Sequence, residues 1–371
     1  MAEKTTVHLT SVHSRKDIRI YLKQCRSLAM AGYRVFMVVA DGQGYEYVDG
    51  VEICDIGKAT GRIDRIARIT QRIFKVACGL EADLYHLHDP ELLPIGLQLK
   101  RLGKKVIFDS HEDVPRQFLY KPYLNRPVRL ILSKVYLLFE MMACKRMDAI
   151  VTATPFIRDK FLKINPNSID IKNYPIIDEF SDDSPSWPYN RQQVCYVGGI
   201  GSIRGIRELV RAMKLTKSDA RLVLGGRFSK SSVEKEVKNY PGWQRIDELG
   251  WLDRDCVRKV LGQSIAGLVT LHPITNYLDA LPIKMFEYMA AGLPVIASNF
   301  PLWRRIIKGN KCGICVDPLN PREIAKAIDE LVTNPELAEE MGRNGYRAVE
   351  EKYNWRNEEI KLFNLYGNLI T

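Results

Sequence analysis

The 371-residue chain predicts an α/β protein of two domains, each a doubly wound, Rossmann-like parallel sheet with helices on both faces. Three observations carry this expectation. Strand-like runs alternate with stretches of helical period from one end to the other. The alternation breaks once, at a Pro-, Ser- and Asp-rich segment. The length also exceeds what one compact core accommodates, suiting two domains of roughly 150 to 200 residues.

In the first half the strand-like runs are "TTVHLTSV", "RVFMVVAD", "VEICDI", "LYHLHD", "KVIFDS" and "AIVTAT". Continuous apolar strands separated by helices are the pattern of a parallel sheet covered on both sides. The break is "NYPIIDEFSDDSPSWPYNRQ", read as a linker over residues 173–192 between a first domain, 1–172, and a second, 193–354. Beyond it come "VCYVGGI", "ARLVLGG", "QRIDELGW", "AGLVTLHP", "PVIASN" and "CGICVDP", again with helices between. Two such domains facing one another would leave a central cleft lined by the C-terminal ends of strands, where open α/β sheets bind ligands.

Hydrophobic residues make up 46% of the chain, ample for globular cores. The N-terminal residues carry charges and no leader-like apolar run, and no later stretch is a membrane span, so a cytoplasmic protein is expected. The 8 cysteines are scattered in apolar contexts and read as reduced. Cys312 and Cys315 form a lone C-x-x-C whose spacing in a strand would send the thiols to opposite faces, which disfavours zinc. A net charge of +11 calls for an anionic partner: nucleic acid, anionic lipid or a phosphorylated substrate. No zinc-finger spacing, RNA-binding aromatic motif or basic tail is visible, so nucleic acid is not the expected partner.

Two stretches of the second domain carry chemistry. In "YVGGIGSIRGIREL", residues 196–209, a strand passes through Gly198, Gly199 and Gly201 into a helix with Arg204 at its mouth. Such a turn lets backbone N–H groups approach phosphate, although it is neither a dinucleotide fingerprint nor a Walker loop. In "LDALPIKMFEYMAAGLPVIAS", residues 278–298, Pro282 opens a short helix that carries Lys284 and Glu287 ahead of an apolar face. A helix N-terminus, a lysine and a carboxylate together suit an anionic, hydroxylated ligand.

On these stretches the chain resembles the family-4 retaining glycosyltransferases of GT-B architecture, nearly end to end. The family's donor site carries an E-x7-E pattern whose later member falls here on Glu287 and whose earlier position holds Asp279, one methylene shorter. The resemblance implies that Glu287 holds ribose hydroxyls of a nucleotide diphosphate sugar and that Asp279 lies near the transferred sugar. It also implies an Arg and a Lys on the diphosphate at the positions of Gly199 and Arg204. Since Gly199 has no charge, Lys284 is the candidate for the missing cation. Fixed cations and a helix dipole would stabilise the leaving diphosphate without a metal or other cofactor. A UDP-sugar is favoured over a GDP-sugar because uridine is common among such donors.

In the first domain, "SVHSRKDIRIYLKQCRSLAMAGYRVFMVVADG" resembles the family's acceptor-domain opening, with His13-Ser14-Arg15 in place of a Gly-Gly loop. "YHLHDPELLP" and "IFDSHEDVPRQ" resemble further acceptor loops, which makes His88, Asp89 and Glu112 acceptor-side candidates and places His111 near the reacting sugar. A metal held by His86, His88 and His111 with Asp89, Glu112 and Asp113 is disfavoured, because the carboxylates scatter. The terminal segment 355–371 resembles the closing helices that cross back to the first domain.

One further pattern is independent of family. In "RIDRIARITQRIFKVACGL", Arg62, Arg65, Arg68, Arg72 and Lys75 form a basic stripe beside Ile63, Ile66, Ile69, Ile73 and Val76. It reads either as a solvated helix packing its isoleucines on the sheet or as a face docked on anionic membrane. "YLNRPVRLILSKVYLLFEMMACKRMD" repeats the basic-and-apolar mixture. The expected function is therefore transfer of a hexose-type sugar to a glycan or lipid-linked glycan in surface polysaccharide assembly, peripheral on the inner face of the cytoplasmic membrane in the docked reading. A GT-B sugar-nucleotide epimerase and a non-catalytic nucleotide-sugar binding protein are the alternatives.

Overall fold

A computed structural model describes residues 4–119, 125–180 and 192–370. The chain divides into two compact units, residues 1–173 with 356–371 and residues 174–355. The first contains an eight-stranded sheet: β1 (Thr5–Leu9), β2 (Arg34–Val39), β3 (Glu46–Val48), β4 (Val51–Asp55), β5 (Leu84–Leu87), β6 (Lys105–Ser110), β7 (Ala149–Thr152) and β8 (Ser168–Asp170). Its order is β3-β4-β2-β1-β5-β6-β7-β8, parallel except where β3 meets β4. The second contains β9 (Gln193–Val197), β10 (Arg221–Gly225), β11 (Ile246–Gly250), β12 (Ala266–Val269), β13 (Val295–Ser298) and β14 (Gly313–Val316) in the order β11-β10-β9-β12-β13-β14. The paired strands of this second sheet are parallel.

In each sheet the strand order reverses beside the first strand, at β1/β5 and at β9/β12. A crevice opens at such a point because successive helices leave toward opposite faces, so the loops after these four strands are the natural ligand-binding loops. The runs that form the strands are apolar because both faces are covered: Val7, Leu9, Val38, Leu87 and Phe108 are buried in the first sheet, and Val194, Tyr196, Leu224 and Leu268 in the second. Both readings of the sheets from the sequence agree with these two parallel α/β units.

One boundary differs from expectation, and the C-terminal crossing agrees with it. Tyr174–Phe180, expected in the linker, belong to the second unit, because Tyr174 packs on Phe286 and Tyr353 and Phe180 is buried beneath Arg254. Aromatic side chains gain too much by burial to stay in a solvated connection. The rest of the expected linker, residues 181–191, lies outside the described residues. The last helix, Trp355–Leu369, is anchored in the first unit: Glu358 accepts the Lys172 N–H at 2.9 Å, and Ser27 donates to Glu359 at 2.9 Å.

Candidate functional site

The loop after β9 explains the glycines of the second unit. Gly198 adopts φ of 121°, and a Cβ there would come within 3.2 Å of Lys284 Nζ. At Gly199 the space a side chain would need is filled by the Arg204 guanidinium, whose Nη1 donates to the Gly199 carbonyl at 3.0 Å. Arg204 therefore fills the space of a side chain at Gly199, the position where the resemblance implies an arginine. The chain then turns at Gly205, φ of 81°, and enters the helix Ile206–Leu215.

Lys284 rises from the helix Ile283–Ala290, with Nζ 3.6 Å from the centre of the Tyr196 ring. Its Nζ is buried and finds no hydrogen-bond acceptor among the described residues. Burial, and after it the Arg204 charge, lower its pKa to about 7. A buried ammonium with no hydrogen-bond acceptor is costly, and an anion placed beside Arg204 would relieve that cost. One turn further along, Glu287 is buried and accepts a hydrogen bond from Arg254 Nη1 at 2.7 Å on Oε1. Arg254 in turn grips Glu179 through Nε and Nη2, both at 2.6 Å. Asp279 caps the short helix Thr275–Leu278 and is half-buried. His272, after β12, sits 2.9 Å from Glu208.

The first unit assembles a second polar centre at the ends of β1, β5 and β6. Asp89 Oδ2 accepts from the Thr10 hydroxyl at 2.8 Å and the Ser11 N–H at 2.6 Å, while its Oδ1 lies 3.4 Å from His13 Nε2. The other His13 nitrogen meets Asp17 at 3.1 Å. Burial depresses the His13 pKa, but the hydrogen bond to Asp17 and the Asp89 charge outweigh it and raise the pKa overall. His111 stands edge-on to His13, ring centres 5.1 Å apart, and burial lowers its pKa. Glu112 is exposed and accepts from Gln117, and Asp113 accepts from Lys160.

Two acceptor-side expectations are corrected. Arg15 does not reach out from its loop; it folds back, giving two hydrogen bonds to Asp41 and one each to Glu46 and the Gly44 carbonyl. His88 is fully buried rather than facing a ligand, because alternation along β5 turns it to the same side as His86. There it joins a chain the sequence did not reveal. His88 Nδ1 faces Asp109 at 3.4 Å, His88 Nε2 meets His8 Nδ1 at 2.9 Å, and the Tyr366 hydroxyl lies 3.2 Å from His8 Nε2 and 2.8 Å from His86 Nδ1. Asp109 is gripped by Arg19 through two hydrogen bonds of 2.8 and 2.9 Å. Nitrogens of His8, His86 and His88 come within 4.8 Å of one another, yet both His8 nitrogens already face protein partners. His111, Asp89, Glu112 and Asp113 are not part of this cluster.

The basic stripe is helical over Arg62–Gly79, but its isoleucines divide. Ile69 and Ile73 are buried, whereas Ile63 and Ile66 are exposed, because the helix meets the sheet only from its second half. Arg65 pairs with Glu91 at 2.7 Å, Arg68 donates to Asp64 at 2.7 Å, and Arg72 donates to the Ile56 carbonyl at 3.2 Å; Arg62 and Lys75 are exposed. The larger apolar surface is on the helix Arg126–Cys144. Ile131, Val135, Leu138 and Met142 follow one another at helical spacing and are 60%, 60%, 68% and 48% exposed. Polar groups also face inward: beside the buried Ala143 and Cys144, Glu140 is buried against Lys160 and Ser133 donates to the Pro115 carbonyl. No helix among the described residues is long and apolar enough to cross a membrane.

Comparison with known proteins places this geometry in a family. Residues 178–348 match the family model of glycosyl transferases group 1, and residues 19–171 that of glycosyltransferase family 4. An uncharacterized glycosyltransferase of Methanocaldococcus jannaschii is 29% identical over 180 residues, 48% of this chain and 45% of that protein. Spore coat protein SA of Bacillus subtilis is 26% identical over 189 residues, 48% of this chain and 49% of that protein. The chain thus spans about half the length of these curated relatives. Among solved structures, sucrose-phosphate synthase from Thermosynechococcus elongatus superposes with a TM-score of 0.80 at 18% identity over 99% of both chains. HepE of Anabaena, solved in complex with UDP and glucose, superposes with a TM-score of 0.76 at 12% identity over 99% of this chain and 100% of that one. Glycosyltransferase family models thus match in both parallel α/β units, and the chain has the GT-B fold of these solved structures.

Proposed function

We propose that the protein is a retaining, metal-independent hexosyltransferase that takes its sugar from a nucleotide diphosphate donor, a UDP-sugar before a GDP-sugar. The observation that carries this reading is the buried Lys284 Nζ, without a hydrogen-bond acceptor among the described residues, beside Arg204 and one helical turn from Glu287. Arg204 and Lys284 would take the diphosphate and Glu287 the ribose diol. As the bond from the sugar C1 to the phosphate oxygen breaks, the new negative charge falls on the diphosphate, which accepts the proton of the acceptor hydroxyl that bonds to C1. Two preorganised cations stabilise this charge and do the work that a metal does elsewhere. The UDP found in HepE supports the choice of base.

The proposed acceptor is a glycan or lipid-linked glycan in surface polysaccharide assembly. His13, His111 and Glu112 in the first unit are the groups that would meet it. The helix Arg126–Cys144 supports contact with an anionic membrane: its outward face is apolar, Arg126, Lys134, Lys145 and Arg146 are exposed at or beside it, and its single acidic residue, Glu140, is buried. A second copy of the same face would bring these cations against each other, whereas anionic lipid complements them.

The test is nucleotide release from UDP-glucose and other UDP-, GDP- and ADP-sugars, with and without glycan-lipid acceptors. Release that requires acceptor, survives EDTA and keeps the anomeric configuration is expected. Acceptor-independent conversion of the donor would make the protein an epimerase, and activity restored only by Mg or Mn would overturn the metal-free reading.

A further inference from the structure

Glu287 does not stand alone in its helix. Its Oε1 is held by Arg254 Nη1 at 2.7 Å, and no described residue hydrogen-bonds Oε2. Arg254 is itself fixed on three sides. Nε and Nη2 meet both oxygens of Glu179 at 2.6 Å, the Phe180 ring lies 5.0 Å from the guanidinium carbon, and Asp253 caps the helix Arg254–Gln263 by accepting the Cys256 N–H at 2.8 Å. A guanidinium gripped bidentately has lost its torsional freedom, so the carboxylate it touches with its remaining arm is oriented as well. Two carboxylates share one guanidinium, which leaves the pair with a net negative charge and acceptor capacity to spare on Glu287.

We infer that Arg254 is a positioning residue for the donor: it holds one oxygen of Glu287 so that the other is presented to the vicinal diol of the nucleotide ribose, and Glu179 holds Arg254. This rests on the reading of Glu287 as the ribose ligand. Arg254 touches neither sugar nor phosphate in this role. A free glutamate would have to lose side-chain freedom on binding, and a preoriented one has already done so. The arrangement also selects chemistry, since a fixed acceptor pays its full return only to a ligand that brings two adjacent hydroxyls.

The experiment compares binding of a nucleoside diphosphate with binding of its 2′,3′-dideoxy form by calorimetry. The probe is whichever of UDP, GDP and ADP binds wild type most tightly. Wild type should prefer the ribose form by at least tenfold, and Glu287→Ala should abolish that preference. Arg254→Met should weaken the ribose form about five- to tenfold and leave the dideoxy form unchanged. Arg254→Lys should recover part of the loss, and Glu179→Ala should lose less than Arg254→Met. If Arg254→Met weakens both ligands equally, or strengthens either, the positioning role is overturned while the Glu287 assignment stands. If Glu287→Ala keeps the ribose preference, the Glu287 assignment fails and Arg254 goes with it. Thermal unfolding of each variant separates these outcomes from loss of the fold.

Discussion

The polar centres of the two units are built in opposite ways. In the second unit the Lys284 Nζ is buried with no acceptor among the described residues, and Arg204 gives one hydrogen bond to a backbone carbonyl. In the first, the charges are closed on one another: Arg19 on Asp109, Arg15 on Asp41 and Glu46, His13 between Asp17 and Asp89. An uncompensated buried cation is stable only because the rest of its unit holds it there, and its natural complement is an anion. A closed network leaves no unpaired cation for an anionic ligand and presents hydrogen-bonding edges instead, which suits a neutral, hydroxylated acceptor. On the function proposed above, the contrast would put phosphate chemistry in one unit and sugar-hydroxyl chemistry in the other.

The largest effect should come from opening the closed network. Arg19→Met leaves Asp109 buried without its cation, and breaking a buried pair by removing one partner typically costs about 3–5 kcal/mol. Urea unfolding should show that loss in the first unit while nucleotide binding to the protein persists. A change under about 1 kcal/mol would mean that Gln24 and His88 suffice for Asp109, and the network would not be closed in the energetic sense used here.

The matching substitution in the second unit should behave in reverse. Lys284→Met removes a buried charge with no partner, so stability should hold or rise. Turnover should fall about 10²–10³-fold, the scale for losing one preorganised group that meets transition-state charge. The pH dependence gives the same contrast without mutation. The folded-state pKa of Lys284 is lowered to about 7 from 10.5, so between these values the unfolded chain binds more protons and stability rises with pH. Donor binding should do the opposite, because the diphosphate favours the charged lysine. Affinity for a nucleotide sugar should weaken by up to about tenfold per unit as pH rises above 7, with proton uptake visible in calorimetry across buffers of different ionisation enthalpy. Affinity that is flat from pH 6.5 to 9 would remove Lys284 from the diphosphate.

Both sheets were legible in the sequence because parallel strands announce themselves as apolar runs between helices. The pairing of Lys284 with Glu287 was legible too, since three residues on a helix face one way. What was hidden depends on topology. Arg19 and Asp109 lie 90 residues apart, and Arg254 reaches Glu179 across 75 and Glu287 across 33. His8 meets His86 only through the register of β1 on β5. Arg15 misled because a bulky loop residue can turn inward when carboxylates wait on neighbouring loops. The helix Arg126–Cys144 misled less, yet periodicity alone cannot say which face looks out.

The smallest effect separates two helices of the first unit that share a basic and apolar composition. If charge alone seated the protein on lipid, the stripe Arg62, Arg65, Arg68, Arg72 and Lys75 would be the stronger candidate, at about 1 kcal/mol for each cation near an anionic surface. But Arg65 and Arg68 are already paired with Glu91 and Asp64, and Arg72 is tied to a carbonyl, so most of that field is spent within the protein. Changing Arg65, Arg68 and Arg72 to Gln should therefore alter binding to anionic vesicles by less than about 1 kcal/mol. Changing Ile131, Val135 and Leu138 to Ser removes exposed apolar surface instead, so the fold should survive while vesicle binding falls by several kcal/mol, at about 1.5–3 for each large side chain withdrawn from water. Co-sedimentation with anionic and neutral vesicles across a salt series measures both. Loss of binding in the arginine variant with none in the serine variant would move the membrane face to the basic stripe, and wild type that ignores anionic vesicles at low salt would leave neither helix a lipid partner.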